Sequence, residues 1–323
     1  MQFKDRKAGL VIFGVLTVLG GCFCALFVPL ILVAPRLAAG SGNPPSVPHS
    51  TLPTAIMYAA LAVASIWLGI GSIMVRRWAR ALLAVWSWSC LVIGFFALVM
   101  MAFMAPRFGE AMSAARPPGQ PELSQAARSG AMVVMFVVMG TFFVLLPLVW
   151  ALFYSGKNVK ATCEARDPVT RWTDRCPLPV LAASLWIAFG ALMMLLVPAY
   201  GSVAPFFGIL LSGAAGIAFY ILIALVWAYC AWAIYHLNRR GWWVYVVTLV
   251  LFCVSSVITY SRHDLSEVYA TMGHSTEQIT AIQKLALSGG FMVWSSLLFT
   301  LPILAYLLYI RKFFPEASQQ VTG

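Results

Sequence analysis

Charged residues are scarce in this chain. Only 10% of its 323 residues are Asp, Glu, Lys or Arg, whereas 62% are hydrophobic. A soluble domain carries about 25% charged and 45–50% apolar residues. A water-soluble globule of this size cannot hide such an apolar excess, because its surface needs polar atoms. The composition therefore excludes a soluble domain and predicts a polytopic membrane protein.

Charge is absent from eight long apolar runs, which contain no Asp, Glu, Lys, Arg or His. These runs are Ala8–Val33, Ala55–Val75, Ala81–Met104, Ala131–Tyr154, Val180–Tyr200, Phe206–Tyr235, Trp242–Tyr260 and Gly289–Ile310. Only a helix satisfies its own backbone in lipid without closing into a barrel, so the runs predict an all-α fold with eight transmembrane helices. Proton relays and voltage sensors use intramembrane charges, and a buried haem uses an intramembrane ligand such as His. The runs therefore argue against a proton-driven pump and predict no cofactor.

Recognisable catalytic motifs are also missing. The chain contains no P-loop, no dinucleotide fingerprint, no G-x-S-x-G elbow and no H-E-x-x-H pair. We predict no catalytic residue and no metal site from motifs. The string Leu19-Gly20-Gly21-Cys22 resembles a lipoprotein cleavage box, but its apolar run continues to Val33, beyond the length of a signal sequence.

The basic residues are unevenly distributed between the connections. With the N-terminus inside, 15 of the 21 Lys and Arg residues fall on the cytoplasmic face, while the ten acidic residues divide equally. This asymmetry follows the positive-inside rule, so the net charge of +11 predicts topology and no nucleic-acid partner. Both termini are expected in the cytoplasm, and the compact loops favour a bacterial inner membrane.

Residues 1–154 and 180–323 carry matching landmarks, in the same order, on either side of a polar joint at 155–179. Gly21 matches Gly190, Arg76-Arg77 matches Arg239-Arg240, Cys90 matches Cys253, and Pro147 matches Pro302. Four crossings are an even number, so two copies would have the same orientation. The pattern predicts two parallel four-helix repeats joined by a cytoplasmic strap.

Gly208, Ser212 and Gly216 recur every four residues in the sixth run, which predicts one small-residue helix face. Close helix packing explains such a face, and a re-entrant or pocket-lining segment on a ligand path is the sharper alternative. The sixth run has 30 residues, about 45 Å as a straight helix, against a hydrocarbon core of about 30 Å. It must tilt, project, or begin with a separate segment, and a re-entrant segment is one form of that.

Two further groups of polar residues lie outside the runs. The outer loop between the seventh and eighth runs predicts two short helices, with capping patterns at Asp264–Glu267 and Ser275–Gln278. Its candidates for an acid–base or metal site are His263, Asp264, Glu267 and His274. The joint contains Cys163, Asp167, Trp172, Asp174 and Cys176. Its two cysteines lack the paired spacing of a zinc site and are expected to be ordinary thiols, while Trp172 is expected to anchor at the lipid headgroups.

Three functions remain open from the sequence. The first is a non-enzymatic membrane component that binds a partner protein or a lipid through its loops or its joint. The second is a transporter or channel for a neutral or lipid-like solute, with a path between the repeats. The third is an enzyme that acts at the outer face through the His, Asp and Glu residues of the last loop. The absence of catalytic groups in the runs favours the first.

Overall fold

The protein is almost entirely helical. The computed structural model describes residues 4–40, 51–114, 125–199, 201–273, 276, 279–280 and 289–314. It is 86% helical, and within the described residues eight helical segments are long and apolar enough to cross a membrane. This confirms the predicted class of multi-span helical membrane protein. The helices are α1 (Lys7–Gly40), α2 (Thr51–Ile73), α3 (Arg77–Ala114), α4 (Gln125–Gly140), α5 (Leu146–Ser155), α6 (Lys157–Arg166), α7 (Leu178–Leu196), α8 (Gly213–Tyr235), α9 (Arg239–Arg262), α10 (Leu265–Thr271) and α11 (Gly289–Ile310).

Large apolar side chains are exposed along the spans, as lipid-facing surfaces require. Phe103 is 72% and Trp294 is 74% exposed. In water such surfaces would be costly, at roughly 25 cal/mol for each Å² of apolar area. The helices also outrun the apolar stretches: α1 continues to Gly40 and α3 continues to Ala114.

The chain folds as two compact units. The first contains Met1–Ser46 with Thr54–Arg175, and the second contains Cys176–Gly323 with Val47–Pro53. The predicted joint, 155–179, therefore belongs to the first unit as far as Arg175. Its α6 and the short 3₁₀ turn Trp172–Asp174 are part of that unit.

In the first unit, three chain segments meet at one end, which we call the basic end of this unit. The Arg6 amide donates to Thr162 Oγ1 of α6 at 3.1 Å, and the Arg77 amide donates to Asp167 Oδ2 at 3.3 Å. The N-terminal segment, the α2–α3 turn and the end of α6 therefore share one end. Deeper in the bundle, the Ser72 hydroxyl donates to Leu10 O at 2.9 Å.

The fourth span is interrupted by one π-helical turn, Thr141–Leu145, between α4 and α5. The Leu146 amide donates to Thr141 O, five residues back, and Pro147 supplies no N–H for a regular helical bond to Phe143. Gly94 of α3 lies directly against Phe143 O, in a space that no Cβ could share. The proline thus explains the π turn, and the glycine lets α3 approach the backbone of that turn closely.

In the second unit, α7, α8, α9 and α11 pack together. Arg239 and Arg240 at the start of α9 and Arg311 after α11 lie at one end, where Arg311 stacks over the Trp242 ring. The Trp242 indole donates to Leu307 O at 3.0 Å, and the Tyr306 hydroxyl donates to Pro179 O at 2.8 Å. Ser184 of α7 donates to Ala231 O of α8 at 2.8 Å. Polar groups of side chains thus form interhelical hydrogen bonds to backbone carbonyls, as is typical of membrane bundles.

The sixth apolar run is not one helix. It begins with two short antiparallel strands, β1 (Ala204–Phe206) and β2 (Ile209–Leu211), and the helix starts at Gly213. The predicted helix face is therefore wrong: Gly208 lies in the turn between the strands, Ser212 is the N-cap of α8, and only Gly216 is helical. The 30-residue run is divided, which leaves a helix of 23 residues for the membrane.

Candidate functional site

The hairpin formed by β1 and β2 is the most unusual feature of the second unit. Phe206 pairs with Ile209, so Phe207 and Gly208 form a two-residue turn. Their φ angles are 44° and 91°. Positive φ at both positions is what a type I′ hairpin turn requires, and Asn-Gly or Asp-Gly normally supplies it. A phenylalanine in this conformation costs about 1–2 kcal/mol, so other contacts must hold the turn.

Three polar side chains provide those contacts, and we call them the α9 polar stripe: Ser255 and Thr259 of α9, and His263, the residue that caps its C-terminus. They are four residues apart, and the His263 amide still donates to Thr259 O at 3.0 Å, so the three lie along one side of the helix. Ser255 Oγ accepts from the Phe207 amide at 2.8 Å and donates to Pro205 O at 3.0 Å. Thr259 Oγ1 accepts from the Gly208 amide at 2.9 Å. His263 Nε2 lies 3.1 Å from Gly208 O.

The hairpin is embedded in the end of the bundle. Ser255 precedes Arg262, the last residue of α9, by about 10 Å at 1.5 Å per residue. Val203 and Ala204 are buried, and Val203 O accepts from the Tyr220 hydroxyl of α8 at 2.8 Å. Non-helical backbone is tolerated at such depth only where protein or water satisfies its polar groups. The α9 polar stripe and Tyr220 do this for the hairpin.

On its other side, the hairpin presents apolar side chains. Phe206, Phe207 and Ile209 are exposed, at 39%, 43% and 59%. No residue from Val203 to Leu211 is charged. The result is a small apolar surface on a backbone whose conformation is fixed by hydrogen bonds, which differs from the helical surfaces elsewhere on the spans.

Two of the predicted outer-loop residues come together here. His263 Nδ1 lies 2.8 Å from Glu267 Oε2, one turn along in α10. Asp264 is the N-cap of α10, but its side chain makes no capping hydrogen bond, so the predicted capping box does not form. His274 and most of the second predicted capping pattern lie outside the described residues. Both nitrogens of His263 are engaged, so the ring has no nitrogen free for a substrate in this arrangement.

The α9 polar stripe can be tested by removing one hydroxyl. Ser255→Ala deprives both the Phe207 amide and Pro205 O of their partner, and each lost bond costs about 0.5–1.5 kcal/mol. We expect amide hydrogen exchange of residues 204–211 to accelerate at least tenfold. Thr248→Ala is the matched control, because the Thr248 hydroxyl bonds Val244 O of its own helix. Equal exchange in the two variants would show that Ser255 does not hold the hairpin.

The predicted joint forms a second polar cluster, at the basic end of the first unit. Asp167 is buried, at 3% exposure, and caps the first amide of α3. Its carboxylate also lies 3.7 Å from Arg76 and 3.8 Å from Arg171. Asp174 accepts from the Arg171 amide at 3.0 Å and lies 3.7 Å from Arg77. The cluster ties α6 and the following turn to the α2–α3 connection.

Trp172 and the two cysteines of the joint do not form a shared site. Trp172 begins the 3₁₀ turn and is 42% exposed. Both thiols are free and buried, and burial raises the pKa of Cys163 and of Cys176 to about 11. Within the ranges that the structure describes, no three His, Cys, Asp or Glu side chains gather in a way that would hold a metal ion.

The two thiols are therefore expected to be chemically inert in the folded protein. A pKa raised from 9.0 to about 11 lowers the thiolate fraction at neutral pH about 100-fold, and burial blocks access as well. A water-soluble maleimide should label neither Cys163 nor Cys176 before denaturation in SDS and both after it, as read by mass spectrometry. Labelling of either thiol in the native protein would contradict the burial described.

Sequence reasoning missed Ser255 and Thr259. A signal was present, since Ser255, Thr259 and His263 follow one another at four-residue spacing. The partner of that stripe, about 50 residues earlier, carries no polar side chain. Only backbone groups meet the stripe, and backbone groups leave no mark in the sequence.

Together, the eight spans define a helical, multi-pass integral membrane protein. The chain matches no known family model, no curated protein and no solved structure. No relative therefore indicates a ligand or a reaction for the hairpin or the joint.

Proposed function

We propose that this protein is a non-enzymatic membrane component that binds a partner protein or a lipid, and that the hairpin of the second unit is its binding element. The observation that supports this most is Phe207, which combines a strained backbone with an exposed aromatic ring. Residues held in sparsely populated conformations cluster at ligand clamps and recognition sites. A lipid-facing helix would cover the same area without that cost.

The chemistry of the surface favours an apolar partner. Phe206, Phe207 and Ile209 offer aromatic and branched side chains with no charge among them. Aromatic residues on a rigid backbone bind with little loss of side-chain entropy, which is why they dominate binding hot spots. Another membrane protein's span fits this surface best, and a lipid acyl chain is the other candidate.

Site-specific photo-crosslinking in native membranes tests the proposal. A benzoylphenylalanine at Phe207 is expected to give one discrete adduct, and the same group at Leu251 is expected to give diffuse lipid adducts only. Leu251 is the matched control because it is apolar, exposed and in the same unit. A protein adduct supports a partner protein, and a defined lipid adduct supports a lipid ligand. Identical diffuse labelling at both positions would count against recognition by the hairpin.

We also propose that the two units are diverged copies with the same orientation in a bacterial inner membrane, with both termini in the cytoplasm. Their turns support this: Val75 and Leu237 both have a φ of 57° in the turns that lead into α3 and α9, although Asn238 separates Leu237 from Arg239-Arg240 whereas Val75 adjoins Arg76. In each turn, the next amide donates a hydrogen bond to a carbonyl five residues earlier: the Arg76 amide to Gly71 O, and the Asn238 amide to Ala233 O.

Two further contacts support the same relation. The matched glycines have similar surroundings: Gly21 of α1 lies against Ile66 of α2, and Gly190 of α7 lies against Trp227 of α8. The third helix of each unit also donates from its first turn to a carbonyl near the end of the fourth span. Arg80 donates to Tyr154 O at 3.4 Å, and Trp242 donates to Leu307 O at 3.0 Å.

A further inference from the structure

We propose that His263 is a proton-dependent latch, which in its doubly protonated form ties the turn of the hairpin to α9 and α10. The proposal concerns the conformation of the hairpin and goes beyond what the hairpin binds. It predicts that the turn is held most firmly at acidic pH and is loosened as His263 loses its proton.

The geometry around the ring carries the inference. His263 Nε2 lies 3.1 Å from Gly208 O, and His263 Nδ1 lies 2.8 Å from Glu267 Oε2. A carbonyl and a carboxylate are both acceptors, so each ring nitrogen faces a group that needs a donor. A neutral imidazole has one N–H, whereas the imidazolium has two. Only the protonated ring satisfies both neighbours. When the ring loses a proton, one of its nitrogens carries a lone pair that faces an acceptor oxygen, and that hydrogen bond is lost.

The charged groups facing the ring are few. The charge of Glu267 on α10 stabilises the imidazolium, and the charge of Arg262 on α9 destabilises it. Asp264 is the next residue in the chain after His263. From the hairpin side the ring meets backbone alone, because no side chain from Val203 to Leu211 is titratable. The hydrogen bond to Glu267 and then that to Gly208 O raise the pKa of His263 above its usual 6.5. A group with a raised pKa contributes fully below 6.5, and the contribution is lost as pH rises through the raised value.

The position of the latch determines what its opening changes. Ser255 and Thr259 hold the two amides of the turn at any pH, because hydroxyl groups do not titrate in this range. His263 holds Gly208 O, the carbonyl that leads into β2 and its exposed Ile209. Deprotonation is therefore expected to loosen β2 and its link to α10 while the Phe207 side stays bound. This would change the shape of the exposed surface without unfolding the unit.

The test uses the full chain in lipid nanodiscs. The pKa of each histidine ring is measured by NMR, and amide protection factors of residues 204–211 are measured at pH 5.5 and pH 8.5. We expect a His263 pKa above 6.5, and a protection factor that falls on the order of three- to tenfold at the higher pH. Glu267→Gln should lower the ring pKa towards 6.5. In His263→Gln, protection should no longer depend on pH.

The matched control is His236→Gln, at the opposite end of α8, where His236 Nδ1 lies 2.8 Å from Trp232 O of the same helix. This variant should keep the full pH dependence of the hairpin. A His263 pKa at or below 6.5, or equal protection at the two pH values in the native chain, would overturn the proposal. If His263→Gln fails to fold, Glu267→Gln still tests it through the ring pKa. Neither readout depends on a ligand, so failure of the latch is distinct from failure of the binding function.

Discussion

Replacing Gly216 by alanine is expected to detach the hairpin from the second unit. A Cβ at Gly216 would overlap Ser202 O and lie 2.8 Å from Leu211 O. Both neighbours are backbone atoms, one just before β1 and one in β2 itself, so no side-chain rotation relieves the clash. Either α8 moves away, or the hairpin leaves the α9 polar stripe and its hydrogen bonds are lost. We expect a loss of about 3 kcal/mol or more from overpacking and broken hydrogen bonds.

Two measurements check this expectation. The free energy of unfolding in mixed micelles gives the size of the loss, and hydrogen exchange of residues 201–212 shows where it occurs. Gly20→Ala is the matched control, because a Cβ there meets no described atom within 4 Å. If Gly216→Ala unfolds at the same denaturant concentration as Gly20→Ala and protects its hairpin equally, the close packing described is wrong.

Replacing Asp167 by alanine is expected to disorder the basic end of the first unit. Asp167 is buried, and its carboxylate accepts from the first amide of α3 while it faces Arg76 and Arg171. A hydrogen bond to a charged group contributes about 1.5–3 kcal/mol, and its loss leaves a partly buried helix terminus uncapped. The side chains of Arg76 and Arg171 are about 40% exposed, so water screens their ion pairs with Asp167 and these pairs contribute little to stability. We therefore expect a loss of about 2–3 kcal/mol, dominated by the cap.

Two further variants separate the cap from the charge. Asp167→Asn keeps an oxygen acceptor for the Arg77 amide and should lose less than alanine does. Glu164→Gln removes a 41% exposed partner of Arg77 and should cost at most about 1 kcal/mol. Unfolding in mixed micelles ranks the three. Equal stability of Asp167→Ala and Glu164→Gln would show that the carboxylate does not cap α3.

The spans were predictable, because long runs without charge have one stable form in lipid. The hairpin was not, because Ala204–Leu211 is as apolar as the helices around it. Its turn also uses Phe207 where a hairpin normally has Asn or Asp, so the usual turn signal is missing. The interactions that decide the fold here join backbone groups to Ser255 and Thr259, about 50 residues away. Local propensity contains no trace of such contacts.

The joint shows the same limit in a different way. Its charges were visible, and the expected topology put them on the same face of the membrane as the α2–α3 turn without predicting that the two would touch. The pattern did not reveal that Asp167 would be buried as the cap of α3. His263 and Glu267 were both predicted candidates, but their spacing did not require them to pair, since His263 and Asp264 are extended and the helix begins only at Leu265. The third contact of that group, Gly208 O, again belongs to the backbone of the hairpin.

Topology mapping tests the central claim of eight spans in two units that face the same way. Compartment-sensitive reporters would be fused after Arg80, Arg175, Arg240 and Lys312, and in a second series after Gly40 and Met272. We expect the first four fusions to report the cytoplasm, and the last two to report the opposite side of the membrane, where the hairpin end of the second unit would then lie. A split among the first four, with Arg80 and Arg240 on different sides, would contradict the account.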